Sequence, residues 1–126
     1  MRNPFIILFL FSLAFVSCNK SDENTDDPPL STWKLTAIRQ DVGAPSPFQS
    51  VTSNRTIKFF SNGNFLSNGD ICELTTSSDL SVFGAYSLQD STLAYCNNDL
   101  IYYIIGNELI IEYPCIEACQ AKYTKQ

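Results

Sequence analysis

The sequence predicts an all-β domain, a small eight-stranded antiparallel up-and-down β-barrel stapled by two disulfides. Three observations carry that prediction. Apolar and polar residues alternate with a period of two through short runs rich in Ile, Phe, Tyr and Thr, and almost nothing has helical period. Tight turn signals, Asn62-Gly63 and Gly106-Asn107 among them, separate several of these runs, as a meander requires. Four cysteines, Cys72, Cys96, Cys115 and Cys119, follow an export-type leader, and an even count in a small exported domain implies crosslinks.

The chain has 126 residues, enough for one domain. Met1, Arg2 and Asn3 give a short positive start, and Phe5 to Val16 is an apolar run interrupted only by Ser12. Such a run suits the core of a signal peptide and is short for a membrane span. The segment F-V-S-C that ends it resembles a bacterial lipobox, with Phe15 where Leu is usual. The resemblance implies that residues 1–17 are a lipoprotein signal peptide and that Cys18 is lipidated and becomes the new N-terminus. Residues 18–29 then form a tether, N-K-S-D-E-N-T-D-D-P-P after the cysteine, too polar to bury a core. Its acidic residues resemble the surface-export signal of Bacteroidetes lipoproteins. The implied location is the cell envelope, as an outer-membrane lipoprotein on either face.

Past the leader there are seven basic and thirteen acidic residues, a net charge of −6, of which −3 lies in the tether and −3 in the domain. With no basic patch, nucleic acid is not an expected partner.

The domain is placed at 30–126. Leu30 to Gln40 reads as a strand, with Trp33, Leu35 and Ala37 on one face. Asp41 to Asn54, with Gly43, Pro45 and Pro47, reads as a loop in which Phe48 and Val51 fold over something. Arg55 to Phe60 and Phe65 to Ser67 flank the Asn-Gly hairpin turn. Asn68 to Ser81 is a long polar loop. Val82 to Leu88, Thr92 to Cys96, Leu100 to Ile105, Glu108 to Tyr113 and Gln120 to Lys125 complete the set. Eight meandering strands close naturally into a barrel, with an immunoglobulin-like sandwich as the rival architecture.

The segments T-W-K-L, T-I-K-F-F-S-N-G-N-F, G-A-Y-S-L and L-I-I-E-Y-P-C-I-E-A-C-Q-A-K-Y resemble those of lipocalin-like lipoproteins of the Bacteroidetes type, from Leu30 to the C-terminus. The usual Gly-x-Trp appears as Ser31-Thr32-Trp33. The resemblance implies a lipocalin-like barrel whose open end holds a small apolar ligand.

In a meander, alternate connections share an end. The long connections, and with them all four cysteines, gather at one mouth, and the tether enters at the other end. The preferred pairing is Cys72–Cys96 with Cys115–Cys119. Pairing Cys72 and Cys96 with the last two is the alternative, as is a four-thiolate zinc site, which lacks any CxxC knuckle.

The ligand-binding candidates are Trp33, Phe48, Phe59, Phe65, Tyr86 and Tyr95. A filled barrel acting as an envelope or surface protein-interaction module, inhibitor-like, is the other functional class. An enzyme is not expected. The chain has no histidine, no phosphate-cradling glycine loop and no HExxH, and Asp70 and Glu73 read as a solvated loop pair. No cofactor or metal is expected, and the protein is expected to be a monomer whose partners are a bilayer, reached through acylated Cys18, and a small apolar ligand.

Overall fold

The computed structural model describes residues 28–126. The leader, Cys18 and the tether up to residue 27 lie outside the described residues. The domain has nine strands: β1 (Ser31–Gln40), β2 (Gln49–Ser50), β3 (Thr56–Phe59), β4 (Asn64–Ser67), β5 (Val82–Ser87), β6 (Thr92–Ala94), β7 (Leu100–Ile105), β8 (Glu108–Tyr113) and β9 (Cys119–Lys125). All pairings are antiparallel, and β1 pairs with β9, which closes an eight-stranded barrel. The sandwich alternative is thereby excluded.

The additional strand is β2. It pairs with the same edge of β1 as β3 does, Gln49 against Ile38 and Ser50 against Ala37, while β3 pairs Thr56 with Lys34 and Phe59 with Ser31. Five residues, 51–55, stand opposite only Leu35 and Thr36. β2 and β3 are therefore one interrupted strand carrying a three-residue excursion. Two backbone bonds pin its ends, Leu35 N–H to the Arg55 carbonyl (3.0 Å) and Val51 N–H to the Thr36 carbonyl (2.9 Å). Pro45 and Pro47 hid this short pairing from a reading of residues 41–54 as loop.

On its other edge β1 shifts register between Leu35 and Ala37 against β9. A bulge moves alternation forward by one residue. Trp33, Leu35 and Ala37 are buried as the alternation predicts, and beyond the bulge the partly buried Ile38 also packs against the core cluster.

The interior is filled by its own side chains. Trp33, Leu35, Ile57, Phe59, Phe65, Leu93, Leu109, Ile111 and Tyr123 are all buried in one cluster. The tight turns use the backbone freedom their sequences offer, with Gly63 and Gly106 at φ of 85° and 59°. Gly84 on β5 has a different reason to lack a side chain. A Cβ there would stand 2.7 Å from the Phe65 ring and 2.8 Å from the Ala94 carbonyl oxygen. Phe65, fully buried, occupies that space.

Gly84→Ala is expected to destabilise the fold by about 1–3 kcal/mol through overpacking. Chemical denaturation checks this, and pairing it with Phe65→Leu should recover part of the loss.

Candidate functional site

The long connections β4–β5, β6–β7 and β8–β9 do share one end of the barrel, as does the β1–β2 loop. The disulfides are Cys72–Cys96 (Cα–Cα 5.5 Å) and Cys115–Cys119 (Cα–Cα 5.8 Å). They are the preferred pairing, they lie at that one rim, and they take up every thiol the zinc alternative needed.

This mouth is covered. The connection from Asn68 to Ser81 folds over it, with Ile71 fully buried in the core cluster. The side chain that holds the cover is Arg55, which follows the three-residue excursion and is itself fully buried. Its Nη1 donates to the Thr75 carbonyl (2.7 Å) and, at 3.5 Å, to the Glu73 carbonyl, and Nη2 donates to the Asp70 carbonyl. Gly69 passes against the Arg55 stem, where a Cβ would lie 3.1 Å from Cγ and Cδ. Ser53 adds a clasp by accepting the Arg55 N–H (3.0 Å) and donating to the Thr76 carbonyl (2.7 Å). Cys72–Cys96 then ties the cover to the β6–β7 connection. Tyr113 and Tyr123 stand near Arg55, and burial pushes both phenols above their ordinary pKa. Arg55 Nε and these two hydroxyls are buried without a hydrogen-bond partner among the described residues.

Beside the covered mouth, the β1–β2 and β8–β9 loops form a second rim surface. Arg39 forks onto Asp41 (Nε to Oδ1 3.1 Å, Nη2 to Oδ2 2.9 Å), and Asp41 also accepts from the Ser46 N–H (2.8 Å) and hydroxyl (2.9 Å). The hydrogen bonds from Arg39 and Ser46 hold the Asp41 carboxyl at about 2. Across the gap, Gly43 N–H donates to Glu117 (2.6 Å) and Asp41 N–H to the Ala118 carbonyl (2.9 Å). Two loops are thus laced together, one of them closed by Cys115–Cys119. At their tips Val42 is 87% exposed and Ile116 fully exposed.

The opposite end, where Leu30 enters, carries an apolar recess of about 120 Å³ lined by Leu30, Ser31, Phe59, Tyr86, Leu88, Tyr102 and Ile104. Phe59 and Tyr86 meet edge to face (4.8 Å between centroids). The two tyrosine hydroxyls are bound to backbone, Tyr86 to the Phe60 carbonyl (2.6 Å) and Tyr102 to that of Ser87 (3.1 Å).

The six ligand-binding candidates do not converge. Trp33 and Phe65 are core. Phe59 and Tyr86 line the recess, at the end away from the cysteines. Tyr95 lies beyond the end of β6, half exposed, on a groove beside Cys72–Cys96. Phe48 lies outside the barrel beneath the Lys122 ammonium (4.3 Å from the ring centroid). Sequence reasoning missed Arg55, because an arginine at a strand start reads as solvated, and missed Val42 and Ile116, which look incidental in polar loops. Comparison with protein-family models, with curated proteins and with solved structures found no match.

Two outcomes follow. Arg55→Met leaves the Asp70 and Thr75 carbonyls without their donor and should cost about 2 kcal/mol or more, seen as a lower denaturation midpoint with lost amide protection across 68–81. A depressed carboxyl contributes order above its ordinary range, near 3.8, and loses it as pH falls through the folded value. The Ser46 amide resonance should therefore hold steady above pH 4 and move as pH approaches 2, and Asp41→Asn should abolish that step.

Proposed function

We propose that this protein is a binding module of the cell envelope. It is a filled, lipocalin-like barrel held to a bilayer through acylated Cys18, meeting a protein partner through the laced rim of the β1–β2 and β8–β9 loops. The observation that carries the reading is the pair Val42 and Ile116, large apolar side chains held out in water on loops already fixed by an ion pair, backbone bonds and a disulfide. Exposed apolar groups on a rigid frame lose little conformational freedom on binding, which is how preorganised loops gain affinity. The complementary surface has an apolar pocket for Ile116 and a neutral or basic surround, given the domain charge of −3. A ligand inside the barrel is the weaker reading, since Ile71 and the Arg55-held cover occupy the disulfide-bearing mouth and the core cluster fills the space beneath it. Binding is favoured over catalysis because the chain lacks histidine and four of its five cysteines are in disulfides.

The test is crosslinking-capture from envelope and host-surface extracts with the native chain and with Val42→Ser/Ile116→Ser. A true partner should bind the variant about tenfold or more weakly, the range of a hot-spot residue, with the denaturation midpoint unchanged. Equal capture by both chains would sink the proposal.

A further inference from the structure

The end of the barrel away from the disulfides bears a surface that the rim-binding reading does not use. Leu30, Leu88, Ile104 and Ile105 are 66%, 76%, 47% and 64% exposed. Three of them ring the recess floored by Phe59, Tyr86 and Tyr102, and no charged side chain lines it. Its tyrosine hydroxyls are occupied by backbone carbonyls, so the recess presents ring carbon, not a free donor. We propose that this end is a lipid-docking face: Leu30, Leu88, Ile104 and Ile105 seat on the acyl region of a bilayer, with the recess taking the adjoining chain segment.

The position of the preceding chain names this occupant. All residues before the barrel leave it at Leu30, which is itself part of the recess wall. Cys18 is twelve residues upstream, so a membrane attached there lies within about 40 Å of this face even with the tether fully extended. Attachment at a point twelve residues away raises the effective concentration of the two surfaces to roughly millimolar, so a small apolar patch suffices to hold contact. Contact made by apolar side chains and aromatic rings should not depend on anionic lipid and should survive high salt. The inference rests on the proposed attachment at Cys18 for its geometry.

The closed sheet uses residues 31–125 only, so the chain from Cys18 onward serves as the test protein. It is coupled through Cys18 to a maleimide lipid in phosphatidylcholine vesicles, which supplies the attachment whether or not a cell acylates that cysteine. Hydrogen exchange is compared with the uncoupled chain. Amides at 61–63, 88–91 and 104–107 should slow by about tenfold on vesicles while those at 41–48 and 114–118 do not, with the same result at high salt. Leu88→Glu/Ile104→Glu should abolish the slowing with no change in denaturation midpoint. Slowing at neither end, or at the disulfide rim, overturns the proposal. So does equal slowing in a chain whose Cys18 carries the same lipid without vesicles, which would mean that the recess takes its own acyl group. A finding that cells leave Cys18 unacylated would sink the attachment reading and leave this result standing.

Discussion

A single buried guanidinium sets the character of this barrel. Burying a cation is costly unless its donors find acceptors. Arg55 meets that requirement at Nη1 and Nη2 with main-chain carbonyls of Asp70, Glu73 and Thr75, and only its Nε is left without a partner among the described residues. The three-residue excursion between β2 and β3 brings its backbone to this place, and Gly69 lets the covering segment lie against its stem. An interior that would otherwise open to water at the cysteine end is thereby closed with Ile71 inside. The charge binds the chain's own peptide groups, and the polar connection from Asn68 to Ser81 becomes part of the wall.

That closure divides the molecule into two unlike ends. One is crosslinked, polar at the backbone and tipped with Val42 and Ile116. The other is built from tight turns and carries an open apolar recess. The disulfides sit where the connections are long, and each ties a segment that secondary structure alone would leave loosely held. The Arg39–Asp41–Ser46 group does the same for the β1–β2 loop without a covalent bond.

Most of the barrel was legible in the sequence because hairpins are local. Asn62-Gly63 and Gly106-Asn107 fix turns, and β7 and β8 have the bounds their residues suggest. The rim clustering of the cysteines followed from strand order, and of the pairings left open the preferred one is present. What escaped depends on contacts distant along the chain. The bulge at Thr36 is a matter of fit between β1 and β9 and leaves no local mark. The recess lies at the end away from the cysteines because which mouth stays open is decided by a loop and an arginine, and nothing in the alternation of Phe59 or Tyr86 reports that. Tyr95 continues the pattern of Leu93 on paper, but β6 has already ended at Ala94.

The pairing of β1 with β9 joins the earliest and latest parts of the domain. Ser31–Gln40 cannot complete its hydrogen bonds on that edge until Cys119–Lys125 exists, and Gln126 N–H still reaches back to the Thr32 carbonyl (2.9 Å). Ring closure over nearly the whole domain is slow and entropically demanding. A growing polypeptide of this kind stays an unsealed ribbon, with the edges of β1 and β8 both unpaired, until Cys119–Lys125 has emerged. Loss of Tyr123 to Lys125 would strip Trp33, Lys34 and Leu35 of their partners across that seam.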